Sequence, residues 1–333
     1  MYKNYIKLLR LPNLALMALV QVLMQFCVVN PILKNHGAEP VLGMDVFALL
    51  LATTVLVAAG GFVINDYYDM KIDEFNRPLT RIVGKEISRK QTMFFYLSLS
   101  AVALVAGVGL WFLFGLEVFE AGKAAGGSLF SVMLDTRNYF IVFVVMFGLL
   151  WFYSSSYKRL LIVGNLIVSL TVAMVPFVVA MFNVRILTEV YAHSQVVGIV
   201  SKEIYWWVSA FSVFLFVWTF IGEVVRNMDE VKGEREMECH TIPVVYGVKV
   251  AKMVVCVLAL AAIVGCILAF VIYPPYRCDW SLRYFLSTVS PLGLVMAYFV
   301  HKAERRTDYK IIRWMLNLIM LSGVFYSVVL FIL

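Results

Sequence analysis

Nine stretches of this 333-residue chain are apolar over a length that crosses a lipid bilayer, at about 11–33, 42–64, 92–116, 138–156, 162–183, 205–225, 249–273, 284–301 and 311–332. A span takes about 20 residues, so nine use about 180 and leave loops but no separate soluble domain of ordinary size. Backbone groups inside a bilayer must satisfy one another, and runs of this length do so as helices. Composition agrees. The chain is 62 % hydrophobic and 15 % charged, with a mean hydropathy of +0.87, where a soluble domain carries about 25 % charge. Soluble globular, disordered, collagenous and disulfide-scaffold classes are excluded. The expected fold is an all-α, polytopic membrane bundle of about nine transmembrane helices in one domain over 1–333, with cap loops after helices 2 and 6.

The remaining charge has a side. Nine spans put the termini on opposite faces, and 21 of the 28 Lys and Arg residues then fall on the amino-terminal side. The other face holds seven: Lys34, Lys123, Arg137, Arg185, Lys202, Arg277 and Arg283. This bias predicts a cytoplasmic amino terminus and an outer carboxyl terminus in the cell membrane. It also explains the net charge of +7 without a nucleic-acid partner. Cys27, Cys239, Cys256, Cys266 and Cys278 show no metal spacing and read as small apolar residues. His36, His193, His240 and His301 show no paired spacing either and read as loop residues. The basic, amphipathic start MYKNYIKLLRLPN lacks a small-residue cleavage site, so no cleavable signal is expected. The outer segment 184–204, long and mixed in polarity, is expected to hold an interfacial helix.

Two polar segments on the cytoplasmic side carry the chemistry. The first runs from Asn65 to Pro78 and contains Asp66, Asp69, Asp73, Asn76 and Arg77. On a continuing helix the three Asp residues, at i, i+3 and i+7, stack on one face with Asn65 and Asn76 close by. Like charges in a row need a cation, and all-oxygen donors suit a hard divalent ion; Mg²⁺ takes a few carboxylates plus substrate phosphates and water. In the second segment Glu223, Asn227, Glu230 and Glu234 fall at i, i+4, i+7 and i+11, again one helical face of oxygen donors. By itself that run also fits a salt-bridged helix, because Arg226, Lys232 and Arg235 are interleaved. Paired with the first stripe, it reads as the second half of a Mg²⁺–diphosphate site at the cytoplasmic face.

The run Asn65-Asp66-x-x-Asp69-x-x-x-Asp73-x-x-Asn76-Arg77-Pro78 resembles the first signature of the UbiA superfamily of intramembrane prenyltransferases. Further matches are Leu9-Arg10-Leu11-Pro12-Asn13, Tyr153-x-x-x-Tyr157-Lys158, and His240-Thr241-Ile242-Pro243 with Gly247. The second signature departs from the family, with Asn227, Glu230 and Glu234 where three Asp residues usually stand. The likeness covers essentially the whole chain. It is closest to the branch that makes digeranylgeranylglyceryl phosphate, through Tyr153 to Arg159, Ile162-Val163-Gly164-Asn165 and Glu223-Val224-Val225-Arg226.

The resemblance implies a Mg²⁺-dependent prenyltransferase that moves a geranylgeranyl group from its diphosphate to a lipophilic acceptor, geranylgeranylglyceryl phosphate. Asp66, Asp69, Asp73, Asn227, Glu230 and Glu234 are the implied metal residues. Lys158 matches a phosphate ligand of the family, and Asn65, Arg10, Arg77 and Arg81 join it as diphosphate contacts. Among nearby aromatics, Tyr153 is the first candidate to face the allylic cation, ahead of Tyr67, Tyr68, Trp151 and Tyr157. An aromatic acid acceptor such as 4-hydroxybenzoate or a naphthoate is the alternative within the family. A secondary transporter is the alternative outside it, and predicts acids near mid-membrane, where the spans are nearly free of them. No obligate protein partner is evident.

Overall fold

The computed structural model describes residues 2–76, 78–123, 128–192, 194, 196–272 and 279–332, with the backbone alone for Tyr2 and Lys3. Arg77, His193, Arg277 and Cys278 lie outside the described residues. The helices are α1 (Tyr2–Leu9), α2 (Leu11–Leu23), α3 (Asn30–Asn35), α4 (Met44–Tyr68), α5 (Met70–Asn76), α6 (Arg89–Ala121), α7 (Leu129–Ser155), α8 (Val163–Val190), α9 (Val196–Glu236), α10 (Ile242–Val245), α11 (Val248–Ile272), α12 (Asp279–Ser287), α13 (Val289–Lys302) and α14 (Arg306–Ile332). No strand is formed among the described residues; an isolated bridge joins Val83 and Ile87. Among the described residues nine segments are long and apolar enough to cross a membrane, and they overlap all nine sequence-predicted spans.

Three details differ from expectation. The first span is a composite, Leu11–Asn35, in which α2 passes through a π-helical turn, Met24–Val29, into α3. Pro31, in the first turn of α3, has no N–H to give, and the buried Gln25 and Asn183 exchange amide bonds of 3.2 and 2.7 Å beside the turn. Among its described residues the outer segment 184–204 holds no separate interfacial helix. α8 runs on to Val190 and α9 begins at Val196, and a 2.7 Å polar contact between Glu203 Oε2 and His36 Nε2 accommodates the polar start of α9. After the sixth span the second acidic segment is helix, because α9 continues to Glu236 and carries it, and the connecting loop begins only at Met237.

The contacts group into two compact units. The first comprises Met1–Met70, Leu79–Ser155 and Met174–Ser209; the second comprises Lys71–Pro78, Ser156–Ala173 and Ala210–Leu333. Near the acidic end of α4 the first unit packs Leu8, Val63, Ile64, Val83, Ile87 and Tyr96 into one buried cluster. The second unit is centred on Trp218, Ile221, Val225, Ala251, Val255, Val289, Met296, Ile312 and Ile319. Lipid tails are as apolar as these side chains, so close packing and buried hydrogen bonds, more than water exclusion, hold such helices together. Many large apolar residues, Phe94, Val105, Phe130 and Ile199 among them, remain exposed, as expected for helices that meet lipid.

Candidate active site

In the first unit the acidic segment begins on the last turn of α4. Asn65 is buried there, and its Nδ2 donates to Asp69 Oδ2 at 2.7 Å while Asp69 N donates to Asn65 O at 2.8 Å. Asp69 closes α4 with φ −78° and ψ −3°, a ψ that turns the chain before α5 starts at Met70. The single stripe expected of Asp66, Asp69 and Asp73 is therefore divided. Asp66 and Asp69 lie at the end of α4, and Asp73 lies on a helix of its own.

Arg10 stands in the left-handed region, φ 51° and ψ 52°, as the residue that caps α2. A non-glycine residue holds that conformation at a cost of about 1–3 kcal/mol, and here it aims the guanidinium at Asp66 Oδ1, 2.5 Å away. The same guanidinium lies 5.2 Å from the centre of the Phe62 ring. Tyr67 and Tyr68 meet edge to face, Tyr68 meets Trp151, and Trp151 packs on Tyr96. Tyr153 is buried in the last turn of α7, two residues beyond Trp151. Arg81 is half-buried, between the turn at 78–80 and the Val83 bridge.

In the second unit α5 and α9 are joined directly. Asn76 Nδ2 donates to the Glu230 carbonyl at 3.1 Å, and Gly233 N donates to Asn76 Oδ1 at 3.2 Å. The carboxy-terminal half of the first acidic segment, with Asp73, is thus stapled to the helix that bears the second. Only glycine fits at 233: a Cβ there would lie 2.5 Å from Asn76 Nδ2 and 2.8 Å from the Ile72 carbonyl oxygen. Gly233→Ala is expected to push α5 away and lower turnover about tenfold, since overpacking costs about 1–3 kcal/mol. Steady-state rates beside a thermal melt check this, and an unchanged rate would show that α5 need not sit here.

Each candidate on α9 has defined partners. Glu223 pairs with Arg226 at 2.7 Å, and Glu230 lies 4.0 Å from the same guanidinium. The buried carboxylate of Glu234 accepts from Thr241 Oγ1 at 2.6 Å. The buried Asn227 lies 3.1 Å from Asn165. With its amide turned over, its nitrogen lies instead within reach of Glu223 O at 3.2 Å and Glu234 Oε1 at 3.3 Å. Lys158 sits on a short 3₁₀ turn, Tyr157–Arg159, whose Arg159 carbonyl accepts from His240 N at 2.8 Å. Asn165 and Thr241 fall inside quoted motif matches, but nothing in the sequence gives them partners.

Among the described residues no three His, Cys, Asp or Glu side chains converge to hold an ion unaided. The donor set nonetheless fits Mg²⁺, which is bound through one or two carboxylates with substrate phosphates completing the shell. Every candidate donor is oxygen, and the buried Asn65 Oδ1 has no hydrogen-bond partner among the described residues.

The profile of the UbiA prenyltransferase family matches residues 23–325. The chain is similar to proteins named digeranylgeranylglyceryl phosphate synthase. That of Methanosphaera stadtmanae is 25 % identical over 316 residues, covering 93 % of each chain. That of Korarchaeum cryptofilum is 28 % identical over 255 residues, covering 76 % of this chain and 73 % of the relative. The fold is similar to a solved digeranylgeranylglyceryl phosphate synthase structure, with a TM-score of 0.56, 17 % identity and 98 % of both chains covered. It is also similar to a UbiA homolog from Archaeoglobus fulgidus bound to GPP and Mg²⁺, with a TM-score of 0.54, 14 % identity, and 98 % and 99 % of the chains covered. A family match over nearly all of a chain that has nine membrane-crossing apolar helices among its described residues identifies a multi-pass integral membrane protein and a prenyltransferase: the chain belongs to the UbiA prenyltransferase family.

Proposed function

We propose that the chain transfers a geranylgeranyl group from its diphosphate to geranylgeranylglyceryl phosphate, with Mg²⁺, at the cytoplasmic face of the membrane. The observation that carries the chemistry is the α5–α9 staple, which joins the carboxy-terminal half of the first acidic segment, with Asp73, to the second within one unit. The acceptor rests on the shared name of the curated relatives. The cytoplasmic face rests on the 21-to-7 division of Lys and Arg, which also favours an amino terminus inside and, with nine spans, a carboxyl terminus outside. Membership of a prenyltransferase family replaces transport as a reading, and the whole of 1–333 acts as one prenyltransferase domain.

In this reaction the bond between the allylic carbon and the diphosphate oxygen breaks. A new C–O bond forms to the glycerol hydroxyl, and the hydroxyl proton is released. Asp66 and Asp69 are the residues of the first unit that would offer oxygen ligands to Mg²⁺, and Asp73 and Glu230 are those of the second. Asn227 and Glu234, engaged by Asn165 and Thr241, fix the face of α9 that presents Glu230. When bound, Mg²⁺ supplies positive charge to the departing diphosphate. Lys158 contributes a fixed cation, and Arg10 and Arg81 two more, each favouring the transition state as charge develops on the leaving oxygens. Tyr153, in the buried end of α7, offers a ring face to the allylic carbon.

The test supplies purified protein in bilayers with geranylgeranyl diphosphate, Mg²⁺, and either geranylgeranylglyceryl phosphate or 4-hydroxybenzoate, and identifies products by mass. The expected product is the diether phosphate. Formation of only a prenylated aromatic acid overturns the acceptor, and no transfer to either overturns the reading.

A further inference from the structure

Sequence alone treats Arg306 and Arg313 as two more positive charges on the cytoplasmic side. The structure uses them inside the second unit. Arg306 Nη1 donates to the carbonyl of Asn76, the last residue of α5, and Arg306 Nη2 donates to the Asp229 carbonyl on α9 at 3.4 Å. Its Nε lies 3.8 Å from Asp229 Oδ1, and Arg313 Nη2 donates to Asp229 Oδ2 at 2.9 Å. The side chain of Asp229 is 3 % exposed. A buried carboxylate of this kind is stabilised only by close cations, and here both come from one helix, α14.

From this geometry we infer that Arg306, seated on Asp229 and Arg313, is a positioning residue that locks α5, and with it Asp73, against α9. A guanidinium on the last carbonyl of a short helix satisfies a group the helix leaves unpaired and opposes the negative end of its dipole. The planar fork of arginine reaches two carbonyls on different elements at once, which a lysine ammonium does not do with the same geometry. α5 is seven residues long, too short to persist without tertiary contacts. Asn76 ties it to α9 through its side chain, and Arg306 ties it through the main-chain carbonyl. Asp229, two residues beyond Asn227, is thereby the anchor of the clamp and not a donor of the acidic face.

The rate prediction rests on the prenyl-transfer reading; the clamp itself does not. Hydrogen exchange is therefore measured on the full-length protein without substrate or metal. Arg306→Ala is expected to raise exchange of the α5 amides about tenfold, the loss of one charge-assisted bond, while α11 and α13 keep wild-type protection. Arg306→Lys is expected to restore part of that protection. Arg305→Ala removes an equal charge one residue earlier and is expected to change nothing. In turnover assays Arg306→Ala is expected to lower kcat about tenfold and to raise the Mg²⁺ concentration needed for half-maximal rate, with partial recovery in Arg306→Lys. Should Arg306→Ala not fold, Arg313→Ala, which loosens Asp229 alone, is expected to give a smaller rise confined to the same amides. Wild-type protection of α5 in either folded variant overturns the clamp. A wild-type protein with no transferase activity, but with the exchange pattern above, overturns the functional reading and leaves the clamp standing.

Discussion

Asp69→Asn is expected to slow diphosphate release on the order of 10³-fold while the protein stays folded and inserted. The substitution separates charge from architecture. An amide oxygen at position 69 still accepts from Asn65 Nδ2, as the carboxylate does at 2.7 Å, and the main-chain bond from residue 69 to the Asn65 carbonyl is untouched. The turn between α4 and α5 therefore persists. What disappears is one negative charge at the hinge of the first acidic segment, next to the buried Asn65 Oδ1. A neutral amide is a poor ligand for a hard divalent ion, so the deficit should shrink as Mg²⁺ is raised without vanishing. Asp69→Ala also removes the side-chain bond and is expected to be at least as severe. Full activity in Asp69→Ala would sink the assignment of this segment to Mg²⁺–diphosphate, whatever the other acids do.

Much of this was legible because its physics is local. A bilayer demands about 20 consecutive apolar residues, and that demand leaves its mark in any window of sequence. The acidic stripes were legible for the same reason, since helical spacing is a property of neighbours. The break at Asp69 was not, because residues at i, i+3 and i+7 read alike whether the helix runs straight or turns for one residue. Nor was the reach of α9 from Val196 to Glu236: Ser201, Lys202 and Glu203 lower the hydropathy without ending the helix, and the His36 partner of Glu203 lies 167 positions away. The roles of Arg306 and Asn76 depend on contacts across 230 and 154 positions. Only the close approach of the backbones turns Asn76 from a motif residue into a staple.

Lys158 is expected to show a contrasting dependence on a residue that touches no substrate. Lys158→Ala should lower kcat/KM for the prenyl diphosphate on the order of 10²-fold, the loss of one cation from the proposed diphosphate site. Gly164→Ala should come close to the same loss. A Cβ at 164 would lie 2.7 Å from Lys158 Cα and 3.1 Å from the Tyr157 carbonyl oxygen, both main-chain atoms with no rotamer to yield. Hydrogen bonds from Arg159 N to Ser156 O and from His240 N to Arg159 O hold the turn on its other sides, so the added methyl displaces the turn itself. Dense packing passes on such a shift, and a misplacement of about 1 Å can cost about 10²-fold in rate. Arg159, on the same turn, points to no assigned role, and Arg159→Ala should leave the rate near wild type. The double variant decides between the two routes to loss. If Gly164 acts through Lys158, then Lys158→Ala with Gly164→Ala is no slower than Lys158→Ala alone. Additive losses would mean that Gly164 supports the fold at large and that the turn does not exist to aim this lysine.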